Sequence, residues 1–179
     1  RPTDRSAVAA PSTEPAKPKR LPDAALTRAD ISAMDRELLT QAELAASQGR
    51  VTEAVDKFVG AARNYLSRSQ PAKASQVLRQ AARLQPDAVE VHILLAETLA
   101  QMRLPEDAAA AYTKAAGLLS KAGQSGLSLD VVRKMALLDP DDLHGRVLVA
   151  EALSRAGRRS DAAEMLRGLA SEAHMLRAF

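Results

Sequence analysis

Laid on itself at a shift of 54 residues, the sequence matches without a gap. Ala42, Ala96 and Ala150 coincide, as do Glu43, Glu97 and Glu151, then Ala54, Ala108 and Ala162, then Phe58, Tyr112 and Leu166, then Ala62, Ala116 and Ala170. Val77 with Val131, Arg79 with Arg133, Leu84 with Leu138, Pro86 with Pro140 and Asp87 with Asp141 complete the register. Self-similarity at a fixed period is the mark of stacked units, each burying its apolar face only against a neighbour. That constraint excludes most globular topologies at once.

What each unit is made of follows from side-chain chemistry. Apolar residues are 46% of the chain but aromatics only 2%, so the core is aliphatic and small side chains must pack closely. Alanine and leucine dominate and Trp is absent, which sums to high helix propensity with little to build strands from. The expectation is an all-α helical-repeat solenoid of about eight helices in antiparallel hairpins, without a β-sheet. Helices are expected at roughly 34–48, 52–68 and 72–84, then 88–102, 105–122 and 127–138, then 142–156 and 160–177, with an extra piece at about 23–33 leading into the first. Breaks fall at Gly49, Pro71, Pro86–Asp87, Pro105, Gly123 to Gly126, Pro140 and Gly157, and Asp23 or Thr27 is placed to cap the first helix.

Residues 1–22 read differently. They hold five of the nine prolines and five basic residues (Arg1, Arg5, Lys17, Lys19, Arg20) against Asp4 and Glu14, with no helical or alternating period. This segment is expected to be a disordered linker or tail, followed by a repeat domain over 23–179 with units at about 33–86, 87–140 and 141–179. It accounts for the whole net charge of +3, because the rest of the chain has 20 basic and 20 acidic residues. With interspersed acids and no aromatic residue it is a weak polyelectrolyte, so nucleic acid is not expected as a partner. No membrane span or leader is expected, and the absence of cysteine excludes disulfides and thiolate chemistry and fits a reducing compartment, here taken as a bacterial cytoplasm.

The odd period has an internal structure. Ala54-x3-Phe58, Ala108-x3-Tyr112 and Ala162-x3-Leu166 share one pattern, and Ala74-x3-Leu78 and Ser128-x3-Val132 repeat it, each of the last two followed twelve residues on by Pro86 or Pro140. The anchors are spaced 20, 34, 20 and 34. The units resemble tetratricopeptide repeats, whose helix hairpin spans about 34 residues with A-x3-F in its second helix and a closing proline. The 20 step is what results when one helix is the second of one hairpin and the first of the next. Ala108, Tyr112, Ala115, Ala116 and Leu119 make one stripe long enough for both roles, as do Ala54, Phe58, Ala61, Ala62 and Tyr65. The chain departs from the family in lacking Trp at the first signature position and in having Ala at 62, 96, 116 and 150 where Gly is usual. A bulky residue at Ala62 or Ala116 is expected to overpack the crossing by about 1–3 kcal/mol.

Catalytic constellations are not found. His92, His144 and His174 lie in separate helices without metal-ligand spacing, and the glycines of "KAGQSGLS" join helix to helix rather than strand to helix. No enzyme activity, metal or cofactor is expected. The resemblance implies protein–protein binding. The helix positions that often face the groove in that family are Arg36, Glu43, Glu90, Glu97, His144 and Glu151 here, with Leu39, Ile93 and Val147 beside them. Lys and Asn that grip a peptide carboxylate in some members are missing, and an acidic, apolar floor suits a basic or amphipathic helix. The competing reading pairs these glutamates with arginines of adjacent helices. A third is self-assembly through the C-terminal edge, where Met175, Leu176 and Phe179 are apolar and the third unit stops after its second helix.

Overall fold

Five tight turns cut the chain into helices by the same backbone device. The computed structural model describes residues 28–177, with helices α1 (Arg28–Ser47), α2 (Val51–Ser67), α3 (Pro71–Leu84), α4 (Val89–Gln101), α5 (Pro105–Lys121), α6 (Ser125–Ala136), α7 (Leu143–Arg155) and α8 (Arg159–Arg177). Gly49, Ser69, Arg103, Gly123 and Gly157 all have positive φ. At each, the residue that follows reaches back five residues to a helix carbonyl, as Gln124 N–H does to Leu119 O at 2.9 Å, while the left-handed residue itself bonds three residues back. This pairing satisfies the last carbonyls of the helix and reverses the chain. Pro71 and Pro105 then stand in the first turn of α3 and α5, where a missing N–H costs nothing.

The two remaining turns carry the prolines. Ala88 N–H bonds Gln85 O and Asp142 N–H bonds Asp139 O, each at 3.2 Å, in matching turns around Pro86 and Pro140. Helix starts accordingly recur 54 residues apart: Val51, Pro105 and Arg159; Pro71 and Ser125; Val89 and Leu143. Among the described residues the fold is all-α, eight helices with each packed on the next in a helical-repeat stack. One boundary differs from expectation. Only Gly123 is left-handed, so Gly126 sits inside the first turn of α6 and the helix begins at Ser125 rather than 127. Asp23, Thr27, residues 1–22 and Phe179 lie outside the described residues.

Packing follows the alanine pattern. Ala54, Ala61, Ala62, Ala74, Ala96, Ala108, Ala115 and Ala150 have no exposed surface, so helix axes approach closely while Phe58 and Tyr112 fill the gaps left beside them. The stripes of α2 and α5 are buried along their whole length. Both helices pack on the neighbour before and the neighbour after. Polar ties fix some of these contacts: Ser128 Oγ, buried on α6, donates to Ala116 O of α5 at 3.0 Å, and the His92 ring bonds Pro86 O at 2.9 Å. Arg68, which caps the end of α2, grips the buried Asp35 of α1 with both terminal guanidinium nitrogens, and this hydrogen bonding raises the Arg68 pKa.

α8 breaks the pattern at one face. Leu166 is 46% exposed and Ala170 is exposed, whereas the equivalent Phe58 and Tyr112 are 3% and 4% exposed and Ala62 and Ala116 are buried. The difference arises because α3 covers α2 and α6 covers α5, while no described helix follows α8.

Candidate functional site

Charged side chains connect helices two apart and so reveal how the stack is layered. Arg63 of α2 pairs with Glu90 of α4, Arg79 of α3 with Asp107 of α5 at 3.0 Å, and Lys134 of α6 with Glu97 of α4 at 2.7 Å. With consecutive helices also packed, the odd-numbered helices form one row and the even-numbered ones the other. Each 54-residue unit holds three helices, an odd number. Equivalent positions in successive units therefore alternate between the rows.

This parity separates the expected groove residues. Arg36 and Glu43 on α1 and His144 and Glu151 on α7 belong to the odd row, while Glu90 and Glu97 on α4 belong to the even row. Glu43 opens onto a cleft of about 320 Å³ between α1 and α3, floored by Phe58 and flanked by Gln80 and Arg83. In the even row, Glu97 of α4 faces α6, where its hydrogen bond holds the Lys134 ammonium above its ordinary pKa. Glu151 is bound within its own helix by Arg155 at 2.9 Å. The structure does not bring the three glutamates into one file. Of these candidates, Glu90, Glu97 and Glu151 are each engaged in an exposed ion pair of the kind worth about 0–1 kcal/mol.

What the surface offers instead is a set of grooves between alternate helices. On the even row, a space of about 510 Å³ between α2 and α4 and one of about 450 Å³ between α4 and α6 share Val89 and Glu90 at the start of α4. Their walls include Val55, Val59, Ile93, Val131 and Leu127, the last 56% exposed. On the odd row, α5 and α7 enclose about 330 Å³ between Ala109, Ala110, Met135, Leu138 and Leu148, rimmed by Glu106, Asp139, Asp142 and His144. Asp142 is fixed there because it caps α7, accepting from His144 N–H at 3.0 Å and Gly145 N–H at 2.9 Å. Of this rim the sequence singled out only His144. The signal for the rest was present in the alignment, where Glu106, Asp139 and Asp142 replace Thr52, Gln85 and Ala88.

Among the described residues no cluster of His, Asp or Glu has the arrangement of a metal site, and no helix is long and apolar enough to cross a membrane. Neither a protein-family model nor a curated protein matches the sequence. Similar solved structures include a crystal structure of MamA at 12% identity, covering 84% of this chain and 93% of that one with a TM-score of 0.40. A second MamA structure stands at 11% identity, 83% and 96% coverage and a TM-score of 0.35. A Podosopora anserina protein with nearly identical TPR-like repeats stands at 16%, 81% and 97% with 0.33. At these scores the likenesses carry no argument about function or partner.

Proposed function

We propose that this chain is a non-enzymatic scaffold that presents the grooves between alternate helices to a peptide or helix of a partner protein in a bacterial cytoplasm. The observation that supports it is the run of open apolar grooves with charged rims on both rows, surfaces of a kind that bind protein segments. In this reading the chain is a tetratricopeptide variant with a period of 54, in which α2 and α5 each serve two hairpins. A basic or amphipathic segment is the favoured ligand, since Glu43 opens onto the α1–α3 cleft and Glu106, Asp139 and Asp142 rim the α5–α7 groove, which gives the odd row an acidic component.

The test uses the chain as bait in native cell lysate beside Glu43→Gln/Glu151→Gln, Glu97→Gln and the triple variant. A partner lost by one subset assigns the binding row. A partner retained by all three variants removes the glutamates from the site.

Self-assembly through the C-terminal edge is the second reading, favoured by the exposure of Leu166 and Ala170 where their counterparts are buried. Of the residues expected at that edge, the side chains of Met175 and Leu176 lie outside those described. Sedimentation of Leu166→Glu against the parent chain decides it: a dimer that becomes a monomer supports this reading, and a parent that is already monomeric ends it.

A further inference from the structure

We propose that the groove between α5 and α7 receives an arginine or lysine side chain from a basic segment of a partner protein, an assignment that rests on the scaffold reading and names where and what it binds. The argument comes from comparing this groove with its equivalent one unit earlier. The α2–α4 groove is lined by Thr52, Val55, Asp56, Val59, Gln85, Ala88 and Glu90, and Arg63 of the chain itself lies in it, paired with Glu90. Fifty-four residues on, Arg63 is replaced by Gly117 and Glu90 by His144, so the internal guanidinium is gone. Thr52, Gln85 and Ala88 become Glu106, Asp139 and Asp142 while Asp56 and Glu90 give way to Ala110 and His144, so the lining carboxylates rise from two to three as the lining cation is lost. Val55, Asp56 and Val59 become Ala109, Ala110 and Thr113, which thins the α5 wall.

The result differs from every other groove described. Arg63, Arg83 and Lys134 line the other three, whereas no Lys or Arg lines this one. The Asp139 and Asp142 carboxylates accept only backbone N–H groups in the hydrogen bonds seen, from Asp141, His144 and Gly145. A volume of about 330 Å³ is roughly ten water molecules' share of the liquid, room for one long side chain. Met135, Leu138 and Leu148 would cover the methylene stem while the rim carboxylates meet the charged head. The carboxylates are spread around the rim and do not form a metal-type cluster, which suits a planar, multi-donor guanidinium better than a bare divalent ion.

The test is fluorescence anisotropy of a labelled hexa-arginine peptide with the whole chain at low ionic strength, beside hexa-lysine and hexa-glutamate. Two variants attack the groove by different routes. Glu106→Gln/Asp139→Asn removes rim charge and leaves the Asp142 cap in place. Gly117→Arg restores the missing internal cation at a helical position where an added Cβ meets nothing within 4 Å, so the fold tolerates it. Glu37→Gln/Glu164→Gln and Gly168→Arg make the same charge changes at exposed positions that line none of these grooves. The expected result is a loss of roughly tenfold in hexa-arginine affinity for both groove variants, the size of one charge-assisted contact, and less than about twofold for both controls.

Equal losses in groove and control variants would mean diffuse electrostatics and overturn the assignment, as would no binding by the parent chain. Binding that appears only after residues 1–22 are removed would also overturn it, because the chain's own basic segment would then be the occupant. A lysate partner that survives Glu106→Gln/Asp139→Asn refutes the groove while leaving the scaffold reading intact.

Discussion

Replacing the same repeat position in successive units measures what a covering helix contributes. Phe58 and Leu166 are equivalent residues, 3% and 46% exposed. Phe58→Ala deletes a buried ring packed between α1 and α3 at the floor of their cleft, and the close alanine contacts around it cannot refill the space, at a cost of about 3–5 kcal/mol. Leu166→Ala removes a side chain only half withdrawn from water, so at most about half of the ~1.5–3 kcal/mol for full leucine burial is lost, and no enclosed cavity forms. Alanine's higher helix propensity returns a few tenths, so the expected net cost is about 1 kcal/mol or less. In urea denaturation followed by far-ultraviolet circular dichroism, a slope of about 2 kcal/mol/M converts these to midpoint shifts of roughly 1.5–2.5 M and under about 0.5 M. Comparable shifts for the two variants would refute the reasoning. They would mean that the exposed face of α8 is covered in solution, and a dependence of the Leu166→Ala shift on protein concentration would identify a second copy as the cover.

The turn positions give a second set of expectations. Ser69 and Arg103 occupy the left-handed conformation that Gly49, Gly123 and Gly157 hold elsewhere, with φ of 56° and 60°, so Ser69→Gly and Arg103→Gly should each raise stability by about 0.5–1 kcal/mol, and a lowered melting temperature would contradict this. Asp142→Ala removes the side-chain cap of α7 and should cost about 0.5–2 kcal/mol by thermal denaturation, whereas Asp142→Asn should restore most of it. Ser128→Ala deletes the buried bond to Ala116 O and should cost only about 0.5–1.5 kcal/mol, since alanine already occupies the equivalent buried position 74; a much larger loss would show that α6 depends on this tie. Arg158 and Ser160 hold the Asp161 carboxyl below its ordinary pKa, and Arg146 does the same for Glu172. A depressed carboxyl contributes stability above its unfolded pKa of about 4 and loses it as pH falls through the folded value, so these two contributions should fade in acid. Arg146→Gln should flatten the Glu172 part of that fall in thermal melts taken below about pH 4.5, and an unchanged profile would remove this pair from the account.

Most of the segmentation was legible because it is written in local chemistry. Proline at 71 and 105 and glycine at 49, 123 and 157 act on their own few residues, and the alanine stripes state which helix faces must be buried. Ser69 and Arg103 show the limit of that reading, since nothing in their side chains announces a left-handed turn. They become visible only through alignment with the glycines 54 residues away. The start of α6 departs from the expected residue for a related reason: Gly126 permits a break without requiring one, and Gly123 already makes it.

The candidate surface was legible only in pieces. His144 was picked out by its helix position, but Glu106, Asp139 and Asp142 come from another helix and a turn, and they meet only when α7 packs beside α5. Glu43, Glu97 and Glu151 looked like one file in sequence and are divided between two rows in space. By itself the sequence determined the helical class, the three-helix unit and the faces to be buried, since propensity, turn geometry and periodicity act over a few residues. Only the tertiary structure decided which carboxylates meet an internal cation and which are left open to solvent, because an odd number of helices per unit, stacked in two rows, sends equivalent side chains to opposite sides.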